Sequence, residues 1–168
     1  CRWATMERPI VVAASRTCKN LEVLRDIDTQ VEAQTLAAEL RVGSMRSGRA
    51  LLQVHANLNT ENAGEFREMI QKGRAIGHNM VVQGLVWGNV GLSEHLIEAM
   101  SAHTFCVGLL GASLRLGVIG HTNAQAVFGR LHEMISGTLK ETSIPLEWVS
   151  AFSPEQEIAV MRHENSTH

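Results

Sequence analysis

RLGVIGHTNAQ, residues 115–125, joins two apolar runs through a corner that holds two glycines and a histidine. Glycine reaches left-handed backbone conformations without a Cβ penalty, so Gly117 and Gly120 suit the end of a helix. Thr122, followed three residues later by Gln125, fits a Thr-x-x-Gln capping box, in which two side chains satisfy free amides at a helix start. The corner therefore predicts a helix ending near Leu116 and a second one beginning at once. The departing segment, NAQAVFGRLHEMISGTLK, places Ala126, Val127, Leu131, Met134 and Ile135 at inward helical spacing.

Working back from the corner, Ser93 is an N-cap with Glu94 in the first turn. Leu96, Ile97, Met100, Thr104, Val107, Leu110 and Leu114 follow at helical spacing. The apolar run from Phe105 to Ile119 is too short and too interrupted for a bilayer span. It predicts a central buried helix, with Gly108, Gly111 and Ala112 admitting neighbours. HNMVVQGLVWGNVGL, residues 78–92, carries the i, i+4 series Met80, Gly84, Gly88. Glycine costs about 0.8–1 kcal/mol in a helix interior, so a helix with several needs tight packing to offset them.

The same reading covers the rest of the chain. Pro9 suits a first helical turn. Asn20 is an N-cap ahead of Leu21, Leu24, Ile27, Asp28 and Val31, with a break near Thr35. A helix follows through RVGSMRSGRALLQVH, with Arg41, Arg46 and Arg49 on its wet side, and then a turn over Asn57–Asn62. A short helix spans Glu65–Lys72, and Gly73 and Gly77 bracket the next start. Ser153, Pro154 and Gln156 open a last helix through IAVMRHEN. Tyrosine is absent and aromatics make up 4%, against the preference of strands for aromatic side chains. The expectation is a single-domain all-α helical bundle over residues 1–168, with a central buried glycine-rich helix.

The formal net charge of −2 argues against nucleic acid as a main partner. Cys1, Cys18 and Cys106 form no CxxC pair, which points to a reducing cytoplasm. The eight histidines show no i, i+3 or i, i+4 pair, so no metal ligands are assigned. No nucleophile elbow or phosphate-binding loop is present, and Cys106 reads as packing. Residue chemistry alone therefore assigns no catalytic residue and no cofactor.

Three ordered stretches resemble the UreF family of urease accessory proteins. In LRLGVIGHTNAQ a helix ends on a basic residue before a Leu-Gly-Gln-Thr-like corner, with His121 where Gln is commoner. AAELRVGSMRSGRALLQV, residues 37–54, resembles the family's Glu-x-Arg, Ser, Met-x-x-Gly-Arg-x-Leu-Leu pattern. EIAVMRHEN, residues 157–165, resembles its Ile-Ala-x-x-Arg-His-Glu tail. The resemblance implies an all-α cytoplasmic adaptor, not an enzyme, for nickel insertion into apo-urease. It would bind UreD (also called UreH), recruit and modulate the GTPase UreG, and form a homodimer. Arg115, Arg162, His163 and Glu164 are then the partner-binding candidates, and Gly117, Gly120, Thr122 and Gln125 build the corner. The family's glycine-rich N-terminal segment and its extreme C-terminus are not matched, so a piece of a longer chain is expected. The competing expectations are a helical enzyme using His103 or Cys106, and a histidine-based nickel-binding protein.

Overall fold

The computed structural model describes residues 2–149 of the 168. Among the described residues the chain is helical and has no strand. A π-helical turn, Trp3–Glu7, leads into α1 (Arg8–Arg16), α2 (Leu21–Gln34), α3 (Ala38–Asn57), α4 (Ala63–Gln71), α5 (Asn79–Val90), α6 (Glu94–Arg115) and α7 (His121–Thr138). A 3-10 turn, Leu146–Trp148, follows. Several starts and stops lie where local chemistry puts them. Pro9 sits in the first turn of α1. Asn20 accepts the Val23 amide at 3.2 Å, and α2 stops at an extended Thr35. Ser93 accepts the Leu96 amide at 3.4 Å to open α6. The helix expected from Ser153 lies outside the described residues.

The buried centre is α5. Every residue from Met80 to Trp87 is buried. The glycine series explains how. A Cβ on Gly84 would come within 2.7 Å of the Val11 carbonyl oxygen and 2.8 Å of the Ser15 nitrogen. One on Gly88 would lie 2.8 Å from the Ser15 carbonyl oxygen. Thus α1 rests backbone to backbone on α5, a contact that larger side chains would prop open. α3, α6 and α2 also pack on α5. Met6, Leu24, Leu52, Phe66 and Ile97 join it in one core.

A polar clamp fixes the start of α5. The carboxylate of Asp28, fully buried, accepts the amides of Ile76 and Gly77 at 2.7 Å and of His78 at 3.0 Å. These amides belong to a connection without helix, whose buried donors would otherwise be unpaired. His78 reaches Glu32 of α2 at 2.8 Å and Ser44 of α3 at 3.2 Å, and Ser44 also accepts the Asn79 amide at 3.1 Å.

Two expectations from the sequence need correcting. The apolar run in α6 is not the buried centre. Ile97, Glu98, Ser101, Ala102 and Cys106 are buried, but Val107 and Leu109 are about half exposed, and a Cβ on Gly108 would meet nothing within 4 Å. A helix apolar on all sides buries only the faces its neighbours cover. Here the start of α6 lies on the bundle, and its second half extends past it. By length and composition alone α6 could cross a membrane.

The corner also works differently from the capping-box reading. Gly117 takes φ +67°. Its amide donates to Leu114 O at 3.1 Å, and that of Val118 donates to Ser113 O at 3.0 Å. This pair of reversed bonds is a Schellman close. Gly120, in contrast, is extended (φ −85°, ψ 165°) and is itself the N-cap of α7, with no side-chain cap. Thr122 and Gln125 therefore lie inside the helix. The turn needs only one left-handed residue, and α7 begins too early for Thr122 to cap it.

Candidate functional site

The α6–α7 hairpin is the part of the molecule that the core does not use up. Its inner end is held firmly. Arg8, 4% exposed, places Nε 2.8 Å from Glu98 Oε1. Its two other nitrogens donate to Thr138 O at 3.0 Å and Glu141 O at 2.6 Å, carbonyls at and just past the end of α7. A guanidinium offers five donors in a fixed fork, which lets one side chain join α1, α6 and α7. It also lies 5.8 Å from the Trp3 ring centroid, and Trp3 Nε1 donates to Ser101 Oγ of α6 at 3.2 Å.

The outer end is open. Arg115 is exposed, ends α6, and lies back over Gly111 of its own helix. Beside it Leu116 is 78% exposed and Val118 72%. α7 buries only Ala124. Leu116 and Val118 leave an apolar surface at this end of the hairpin. Arg115, Gly117, Gly120, Thr122 and Gln125 thus share one corner. Arg162, His163 and Glu164 lie outside the described residues.

The reactive side chains do not assemble. Cys106 is buried, and burial pushes its thiol up, away from the thiolate that would attack or ligate. His103 and His132 stack edge-on against Phe128, with centroids 5.3 and 4.5 Å away. With His95 they border a groove of about 490 Å³ between α6 and α7. Among the described residues no group of three or more His, Cys, Asp or Glu is placed to hold a metal. Spacing along one helix could not reveal this grouping, because His132 arrives from another.

The arginines of α3 divide. Arg41 donates to Thr35 O and Leu36 O, and Arg49 to Ile76 O at 2.9 Å, so both staple loops. Arg46 is exposed. Sequence reasoning missed Arg8, Glu98, Asp28 and His78 as structural hubs. The one available signal was Arg8 opening the apolar run of α1.

The UreF family model matches residues 2–132, which takes in the whole corner and most of α7. A urease accessory protein UreF from Trichodesmium erythraeum is 30% identical over 162 residues, covering 94% of this chain and 70% of the relative. The chain belongs to the UreF family. Urease accessory proteins UreF from Kocuria rhizophila and Paenarthrobacter aurescens are 28% and 29% identical. The matches cover 86% and 82% of this chain and 65% and 63% of those UreF proteins. The chain thus spans roughly two thirds of the length of these UreF relatives.

Proposed function

We propose that this chain acts as a urease accessory protein, an adaptor in the insertion of nickel into apo-urease. In this reading it binds UreD/UreH, recruits the GTPase UreG and modulates it, as a cytoplasmic homodimer. The observation that carries the reading is the family match across residues 2–132. The physical arrangement supports it: among the described residues the bundle holds out a hairpin whose far end presents apolar side chains and Arg115. Arg115 is assigned to partner contact, with the corner holding it in place, and so are Arg162, His163 and Glu164 in the tail. Buried Cys106 with its raised thiol speaks against the enzymatic alternative. Among the described residues no three metal ligands gather, which speaks against nickel storage there.

Co-purification with UreD, and then with UreG, tests the reading. The expected result is a complex with UreD that captures UreG, weakened by Arg115→Glu with no change in thermal unfolding. A folded chain that ignores both proteins would overturn it.

A further inference from the structure

One reactive grouping lies elsewhere, within the clamp that starts α5. Ser44 Oγ is 3.2 Å from His78 Nδ1, and His78 Nε2 is 2.8 Å from Glu32 Oε2. The amide of Asn79 donates to Ser44 Oγ at 3.1 Å. Ser44 Oγ therefore already accepts a proton, which leaves its hydroxyl hydrogen to donate to Nδ1 of a neutral ring. The ring's own proton is then on Nε2 and goes to Glu32. Arg41 Nε, 3.4 Å from Glu32 Oε1, fixes that carboxylate from its other side. A hydroxyl, an imidazole and a carboxylate linked in this order form the arrangement that activates a serine, whatever the order of the residues along the chain.

A cavity adjoins this serine. Ser44 and Asn79, the two residues that meet at Ser44 Oγ, both line a groove of about 560 Å³ between α3 and α6. Leu40, Met80, Phe105 and Leu109 give it apolar walls. Cβ atoms on Gly43, next to Ser44, and on Gly108 of α6 would meet nothing within 4 Å, so there is room for an acyl chain. Asn79 and Gln83 add side-chain amides to the lining, N–H donors of the kind that stabilise a developing oxyanion. His78 is fully buried behind the serine. Holding α5 in place requires an acceptor for the Asn79 amide, but neither a base behind that acceptor nor a cavity in front of it.

We propose that Ser44 is the nucleophile of a site that hydrolyses carboxylic esters with short apolar acyl groups, with His78 as its base and Glu32 as a positioning residue. Ser44 Oγ bonds to the ester carbonyl carbon while His78 Nδ1 takes the hydroxyl proton. The bond from that carbon to the alkoxy oxygen then breaks, and the proton leaves with the alcohol. Water, deprotonated by the same nitrogen, splits the acyl-serine, releasing the carboxylic acid and restoring Ser44. The site is separate from the hairpin corner, so failure to bind UreD or UreG leaves the proposal standing.

The test incubates the full chain with a fluorophosphonate probe and, separately, with p-nitrophenyl butyrate. The expected result is a label mapped to Ser44 by peptide mass analysis, and release of p-nitrophenol that the label stops. Ser44→Ala should abolish both. Glu32→Gln keeps an acceptor for the ring without the charge; it should lower kcat by about tenfold or more and leave KM unchanged. Gly108→Leu, which fills open space in the groove, should raise KM severalfold. Thermal unfolding of each variant checks that the fold survives, and labelling of the unaltered chain decides the question even where a variant does not fold. The proposal is overturned if the folded chain takes no label at Ser44, if hydrolysis survives Ser44→Ala, or if kcat ignores Glu32→Gln.

Discussion

α5 and α6 carry similar sequences and meet opposite fates. Both are apolar on every side and both contain glycines four residues apart or nearly so. In α5 those glycines touch the backbone of α1, and the helix is buried from Met80 to Trp87. In α6 Gly108 touches nothing, and the helix is half uncovered beyond Cys106. Apolar composition thus sets how much a helix can bury, while the number of neighbours that reach it sets how much it does. The uncovered remainder is the surface that the proposed adaptor role would use.

The sharpest way to break this contrast is to cut the joint between the two regions. Arg8 ties the core-bound α1 to α6 and α7 at once, so Arg8→Ala leaves Glu98 a buried charge without its partner. Removing one member of a buried pair costs about 3–5 kcal/mol. Urea unfolding should register that loss. Hydrogen exchange should place the first opening in α7, whose terminal carbonyls lose their donors. Uniform loss of protection across α1 and α5 as well would mean that the hairpin is no separate unit.

Next in size is the difference between the two kinds of glycine. Gly84→Ala forces a methyl group against the Val11 carbonyl and the Ser15 amide, and overpacking of this kind costs about 1–3 kcal/mol or more. Gly129→Ala in α7 meets open space and should gain up to about 1 kcal/mol from helix propensity. Equal effects in chemical denaturation would show that α1 and α5 are not in backbone contact.

How far the sequence was legible follows the same line. Periodicity located the helices and caps at Asn20 and Ser93, because these are short-range effects written within four residues. The corner at 117–120 was legible as a stop, through Gly117, but its mechanism was not. The Schellman close at Gly117 stops α6, while the capping box fails because Gly120 and not Thr122 is the N-cap of α7, a shift of two positions that the residues alone do not fix. The buried hubs were illegible for a different reason. Asp28 serves amides about 50 positions away, and Arg8 serves carbonyls 130 and 133 away. Nothing in local spacing marks such partners. The burial of α6 was misread because the decisive fact, how many helices reach it, is not a property of α6.

A smaller effect tests the N-terminal turn, which borders both the core and the α3–α6 groove. Folded Glu7 keeps its proton up to about pH 7, whereas the ordinary value is 4.5, so between those values the native state binds more protons than the unfolded one. Stability contributed by this group is therefore fully present below about pH 4.5 and is lost as pH rises through 7. Glu7→Gln removes the titration. It should stabilise the chain at pH 8 by roughly 1–2 kcal/mol, less than the approximate upper bound of 3 that the shift allows, and should have little effect at pH 5. A stability difference that does not change between pH 5 and pH 8 would contradict the burial of this carboxyl.

The smallest expected change in stability belongs to the outer hairpin, and there the absence of an effect is what matters. Leu116→Ser and Val118→Ser alter side chains that are 78% and 72% exposed, so folding free energy should move by no more than about 0.5 kcal/mol. If the corner is a docking surface, the same pair should weaken capture of UreD or UreG by tenfold or more, because apolar side chains desolvated at an interface centre carry much of its energy. A core position such as Ile97, 1% exposed, gives the reverse pattern: Ile97→Ala should cost about 2–5 kcal/mol of stability without acting on the partner directly. Separating the two readouts in this way distinguishes a surface kept apolar for another protein from one left apolar because nothing selected against it. If Leu116→Ser and Val118→Ser change neither stability nor capture, the exposed end of α6 is the second kind, and the docking role passes to some other face of the bundle.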